Sequence, residues 1–142
     1  MIQKILLDTN FLMIPFQFNV DIFSELKRIC DFKYDLYILD RSVDELNTLM
    51  GRDNSKTSRL AKMALQLKKD KDIKMIKTIE KKHTDDLILD KKGFIVATRD
   101  MNLIRKLKEN SIGYITLRQK KYLIMNNSQS SLSIDPPDRI RT

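Results

Sequence analysis

The chain has 142 residues, 42% of them hydrophobic, with only three glycines and three prolines, which suits one globular core and excludes a fibrous or disordered chain. Its 27 Lys and Arg outnumber 19 Asp and Glu, giving a formal net charge of +8 that favours a polyanionic partner, nucleic acid first. One cysteine, Cys30, and one histidine, His83, exclude an internal disulfide framework and a Cys/His zinc site, so any metal must be held by oxygen.

The start, MIQKILLDTN, has neither the apolar length nor the cleavage site of a secretory signal, and no run reaches the roughly 18 apolar residues of a membrane span, so a cytoplasmic protein without a membrane partner is expected. Ile5–Leu7 reads as a first strand, and the run LLDTNFLM carries it into Asp8. An acid inside so apolar a stretch is costly unless it is paired, hydrated or placed where the strand meets solvent. Val20–Ile29 then has helical spacing, with Val20, Phe23, Leu26 and Ile29 on one face and Cys30 at its end as a small buried side chain. A second strand, Leu36–Leu39, is followed by Asp40, Asp44 and Glu45, and Ser42–Glu45 reads as a capping box opening a helix over Val43–Met50. The polar turn GRDNSKTS separates this helix from another over Ser58–Leu67.

Further on, Ile73–Ile76 reads as a third strand, and Thr84–Asp90 as a helix with Thr84 at its N-cap and Asp85 and Asp86 complementing its dipole. His83 beside this helix start is read as a cap or surface residue. Phe94–Ala97 is the fourth strand, Met101–Lys108 a helix that Asp100 could cap, and Tyr114–Leu117 the fifth strand. From about residue 126 the chain turns polar, NNSQSSLSIDPPDRIRT, and is expected to be a flexible tail following a domain of residues 1–125. Strand alternating with helix predicts an α/β fold, a three-layer α/β/α arrangement around a mostly parallel five-stranded sheet.

In open α/β sheets ligands bind beyond the carboxyl ends of the strands, and four of the expected strand ends carry acids, at Asp8, at Asp40 to Glu45, at Asp85 and Asp86, and at Asp100. Each of the later groups also serves as a helix cap. Asp8 has the weakest structural explanation, because Thr9 or Asn10 could serve as the cap of the apolar segment after it. Carboxylates converging on one edge repel one another unless a cation neutralises them. Mg²⁺ or Mn²⁺ would do so through oxygen ligands, and such ions activate water for phosphoryl displacement.

The same residues carry a family resemblance over roughly residues 1–125. LLDTNFLM with Asp8, SVDELNTL with Glu45, TDDLIL with Asp85 and Asp86, and FIVATRDMNLIRKL with Asp100 follow the order and approximate spacing of the PIN domain, which the chain resembles. The resemblance implies a metal-dependent endoribonuclease with Asp8, Glu45, Asp85 and Asp100 as catalytic acids binding Mg²⁺ or Mn²⁺. Asp86 remains an alternative or additional ligand to Asp85, Asn10 supports Asp8 by hydrogen bonding, and Thr98 stands near the site. It further implies an RNA substrate, single-stranded or structured, and dimerisation as in many relatives. The DTNFLM start, the doubled acid and the ending SIGYITLRQKKYLIM resemble the ribosomal-RNA-processing type more than the toxin type, which would bring an antitoxin partner. A weakly catalytic RNA-binding or ribosome-assembly module is a further alternative. Basic residues expected to hold the phosphate backbone are Lys56, Arg59 and Lys62 at helical spacing, Arg99, Arg105 and Lys106 beside Asp100, and Arg118, Lys120 and Lys121 near the last strand.

Overall fold

The computed structural model describes residues 2–52, 55–78, 84–89 and 93–126, with the side chains of residues 84 and 85 outside that description. Residues 127–142, the bulk of the expected tail, and His83 also lie outside it. Strands β1 (Gln3–Leu7), β2 (Tyr34–Leu39), β3 (Lys74–Ile76), β4 (Phe94–Ala97), β5 (Tyr114–Arg118) and β6 (Tyr122–Asn126) form one sheet in the order β3-β2-β1-β4-β5-β6. The first five strands run parallel and β6 is antiparallel to β5. The helices are α1 (Ile14–Phe18), α2 (Ile22–Ile29), α3 (Asp40–Met50), α4 (Lys56–Asp70), α5 (Thr84–Leu89) and α6 (Met101–Glu109).

Two apolar clusters, one on each face of the sheet, follow from the period-2 alternation of the parallel strands. Ile5 and Leu7 of β1, Ile38 of β2 and Ile95 and Ala97 of β4 pack on one side with Ile22 and Leu26 of α2, Leu46 of α3 and Ala61 and Ala64 of α4. Leu6, Leu39 and Val96, the intervening residues, pack on the other with Leu87 and Ile88 of α5 and Leu103, Ile104 and Leu107 of α6. The α/β/α layering is therefore written in strands that are apolar on both faces. No helix among the described residues is long and apolar enough to cross a membrane. Cys30 is buried at the end of α2, where burial pushes its thiol up to about 11 and keeps it neutral.

Two expectations are corrected. The sheet has six strands, since YLIM turns back after β5 and adds β6 as an antiparallel edge. No capping box forms at Ser42–Glu45. The helix starts earlier, with Leu39 as an N-cap that supplies no side-chain bond, and Ser42 is buried within the helix. The apolar run after Asp8 becomes a 3-10 turn, Thr9–Met13, leading into α1 with Pro15 in its first turn, where a missing N–H costs nothing.

An unpaired edge strand invites aggregation, and β6 meets a specific cover. Leu123 N–H donates to Glu25 Oε1 at 2.9 Å, Arg28 Nη2 donates to the Leu123 carbonyl at 2.8 Å, and the two α2 side chains pair at 3.0 Å. Burial alone would raise the Glu25 carboxyl, but the bonds from Arg28 and Leu123 outweigh it and hold the group below its ordinary value. A carboxyl lowered in the folded state adds stability above its unfolded titration range and loses it as pH falls through the folded one. Glu25→Ala is expected to destabilise the protein by about 2 kcal/mol at neutral pH, as for loss of a hydrogen bond to a charged group, read from urea midpoints. The gap from wild type should shrink in strong acid, where wild-type Glu25 is itself protonated.

Candidate active site

The strand order reverses direction around β1, because the chain passes from β1 to β2 and β3 on one side and returns to β4 and β5 on the other. A crevice beyond the carboxyl ends of β1 and β4 is the expected binding place in such a sheet. Leu7 stands opposite Ala97 in the parallel register. Pairing continues one residue further, with Asp8 N–H donating to the Ala97 carbonyl at 2.9 Å and Thr98 N–H to the Ile115 carbonyl at 3.0 Å. Asp8 and Thr98 are thus set side by side by main-chain bonds before any side-chain contact is counted.

Side chains then join them. Thr98, fully buried, donates its hydroxyl to Asp8 Oδ2 at 2.8 Å and accepts the Asp100 N–H at 3.1 Å. On the other side Thr9 N–H donates to Asp8 Oδ1 at 2.8 Å, and the buried Thr9 hydroxyl donates to Glu45 Oε2 at 3.1 Å. One hydrogen-bonded path, Glu45–Thr9–Asp8–Thr98–Asp100, therefore spans α3, the 3-10 turn, β1 and the start of α6. Asp8 does cap the 3-10 turn through its Oδ1, so the weak structural explanation expected for it is corrected. That role uses the same bond that orients it towards the crevice.

Asp100 caps α6, with Oδ1 accepting the N–H groups of Asn102 at 2.9 Å and Leu103 at 3.3 Å, and it is exposed. Glu45 is exposed, and so is Asp86 on α5. Asp85 lies on α5, but its side chain is outside the described residues, so the choice between it and Asp86 is not made by the structure. Asp44, beside Glu45, faces solvent as expected. Asp40 has another function. Its carboxylate accepts the N–H and hydroxyl of Thr78 at 2.9 and 2.8 Å and the N–H of Arg41 at 2.8 Å, tying the segment after β3 to the head of α3. Burial would raise that carboxyl, but the bonds from Thr78 and Arg41 prevail and lower it.

Asn10 is exposed, and Thr9 and Thr98 each bond one oxygen of Asp8. In the sequence Thr9 looks like an interchangeable cap. The usable signal is its place directly after the strand-ending acid. Among the expected basic residues, Lys56, Arg59 and Lys62 are exposed on α4, Arg105 is exposed and Lys106 half-buried on α6, and Arg118, Lys120 and Lys121 are exposed around the β5–β6 turn. Arg99 is half-buried, its guanidinium 4.4 Å from the centre of the Phe18 ring.

The donor set suits a hard cation. Every side chain offered is an oxygen donor, and neither Glu45 nor Asp100 has an ion-pair partner among the described residues of a strongly basic chain. Among those residues no three acids approach closely enough to enclose an ion by themselves.

A family model described as PIN like domain matches residues 5–120. Ribonuclease VapC4 of Methanocaldococcus jannaschii is 33% identical over 123 residues, covering 84% of this chain and 93% of that protein. Among solved structures, the PIN domain endonuclease Utp24 superposes with a TM-score of 0.69 at 25% identity, covering 84% of this chain and 88% of that one. Thr98→Val is expected to lower stability by about 1–3 kcal/mol, because it strands polar partners at a buried position without removing volume, and Thr9→Val by about 1 kcal/mol, because its partner Glu45 is exposed and regains water. Thr98→Ser should restore most of the loss. Chemical denaturation of wild type, the three single variants and the Thr9→Val/Thr98→Val double variant checks this, and the combined loss should depart from additivity because both residues belong to one hydrogen-bonded path through Asp8.

Proposed function

The chain belongs to the PIN-like domain family, and from that premise we propose that it is a metal-dependent endoribonuclease working at the carboxyl edge of β1 and β4. The observation that carries this reading is the hydrogen-bonded path Glu45–Thr9–Asp8–Thr98–Asp100, which links α3, the end of β1 and the head of α6, Asp100 joining through its main-chain N–H. The names of the relatives, a ribonuclease and an endonuclease, support the same chemistry. PIN-domain nucleases generally use divalent metal ions. Asp8, Glu45 and Asp100, joined by Asp85 or Asp86, would hold Mg²⁺ or Mn²⁺. When bound, the ion acidifies a water and offsets charge on the phosphodiester.

The protein's own share is positional. Thr9 and Thr98 fix both oxygens of Asp8, so the ligand geometry is set before substrate arrives, as outer hydrogen bonds do in metal sites generally. Glu45 and Asp100 stay solvent-accessible, where they can orient a water for in-line attack on phosphorus. The chain's net charge of +8, the site acids included, offsets the repulsion between RNA and the acids.

The role in the cell has two readings. The sequence features resembling the ribosomal-RNA-processing type stand against the similarity to a VapC ribonuclease, which favours a toxin neutralised by an antitoxin. A short neighbouring reading frame for a DNA-binding protein would select the toxin. Catalysis is tested with purified protein and an RNA substrate. Cleavage is expected to require Mg²⁺ or Mn²⁺ and stop on chelation, and Asp8→Asn is expected to reduce the rate by about a thousandfold or more, the scale of losing a main electrostatic contributor, measured well below its melting temperature because the amide replaces one of the two oxygens that accept from Thr9 and Thr98. Asp100→Asn and Glu45→Gln should behave similarly. Undiminished cleavage by Asp8→Asn would refute the site.

A further inference from the structure

Beside the acids stands a feature that metal binding does not use. Phe18 ends α1, and its half-buried ring is approached by two cations from distant parts of the chain, the Arg99 guanidinium at 4.4 Å and the Lys120 ammonium at 5.9 Å from the ring centre. Arg99 lies between Thr98, which is bonded to Asp8, and Asp100. Lys120 comes from the β5–β6 turn. Thr98 already pairs with Ile115, whereas β5 continues to Arg118, so the turn overhangs the carboxyl edge where the acids sit.

Two observations make this more than ordinary surface packing. Both cations lie within about 6 Å of one ring centre, the usual cation–π range, and are thus close enough for mutual repulsion to be incompletely screened by salt. Among the described residues neither has an ion-pair partner to relieve it. The turn is also built against local preference. Gln119 and Lys120 both adopt positive φ, 55° and 56°, and Lys121 N–H closes the turn on the Arg118 carbonyl at 3.1 Å. Such a turn favours Asn-Gly, and here a lysine occupies the position where glycine would be relaxed. A glycine there would remove the cation from the ring.

We propose that Phe18, Arg99 and Lys120 form a clamp for the phosphodiester backbone of single-stranded RNA, holding phosphates next to the one that is cut. This rests on the nuclease reading of the adjacent acids and extends it to how substrate is held. The ring fixes the direction of a long flexible side chain, so the guanidinium meets a phosphate with its N–H fork already oriented. The anion in turn relieves the repulsion between the two cations. Arg99 and Lys120 are therefore binding residues, and Phe18 a positioning residue that acts through them.

The test measures fluorescence anisotropy of a short unstructured labelled RNA, and of DNA of the same sequence, across a salt series in EDTA so that nothing is cut. Lys120→Gly and Arg99→Ala are each expected to weaken binding about 3- to 10-fold and to flatten the log–log salt dependence by about 0.7, the contribution of one phosphate on a single strand. Phe18→Leu should weaken binding without flattening it as far, since both charges remain. Lys120→Gly relaxes the turn, so its melting temperature should not fall, and lost binding cannot then be ascribed to unfolding. Unchanged affinity and slope in Lys120→Gly and Arg99→Ala overturn the clamp, whatever Asp8→Asn does to cleavage. Retained cleavage by Asp8→Asn together with weakened binding by Lys120→Gly overturns the acidic site and supports the clamp. A wild-type protein that binds no RNA overturns both. Equal losses on RNA and DNA support a contact to phosphate, and a loss confined to DNA overturns the assignment to RNA.

Discussion

The arrangement of the carboxyl edge depends on the buried hydroxyl of Thr98. It donates to Asp8 Oδ2 and accepts from the Asp100 N–H, so one oxygen joins the ends of β1 and β4. A hydroxyl with no solvent access must satisfy both functions within the protein or cost stability. That obligation is what makes it informative: Asp8 and the head of α6 cannot separate without leaving Thr98 unpaired. Thr9 repeats the logic on the other side, with its N–H on Asp8 and its hydroxyl on Glu45. Rigid, neutral, buried donors therefore fix charged groups that remain near solvent.

This division matters for charge. The acids are few against a strongly basic background, and carboxylates placed at one edge raise one another's energy. Internal cations could have neutralised them, as Lys74 does for Asp35 at 3.2 Å on the far part of the sheet and Arg28 does for Glu25 beside β6. At the edge, Thr9 and Thr98 orient Asp8 through two hydrogen bonds, one to each carboxylate oxygen. The nearby cations are instead turned onto the face of Phe18.

The layers are legible in the sequence because parallel strands buried on both faces are apolar without interruption, and Ile5–Leu7, Phe94–Ala97 and Tyr114–Leu117 all fall inside observed strands. Asp8 is legible as a strand-ending acid because it directly follows β1, and Thr98, which the PIN resemblance marks, directly follows β4. Strand β6 is not, since its turn is made by Gln119 and Lys120 at positive φ and carries no glycine or asparagine to announce it. The start of α3 is misleading because Leu39 offers no capping side chain, while Ser42 three residues on imitates one. Thr9 is hidden for a different reason. A threonine after a strand-ending acid has many uses, and only the distance to Glu45, a residue 36 positions away, selects among them.

The strand order itself sharpens the chemistry. The order β3-β2-β1-β4-β5-β6 is that of the dinucleotide-binding sheets, in which a glycine-rich turn after β1 lets main-chain N–H groups cradle a pyrophosphate at a helix start. Here the turn after β1 contains no glycine. Asp8 takes the first N–H of that turn for its own carboxylate, and Phe11, Leu12 and Met13 bury the turn against the core. An anion brought to this turn would meet a carboxylate where such sheets offer open N–H groups. The same topological crevice is thereby converted from a place that receives phosphate through the main chain into one that repels it unless a cation intervenes. A strand order shared with nucleotide binders thus requires, at this one turn, a different way of engaging a phosphodiester.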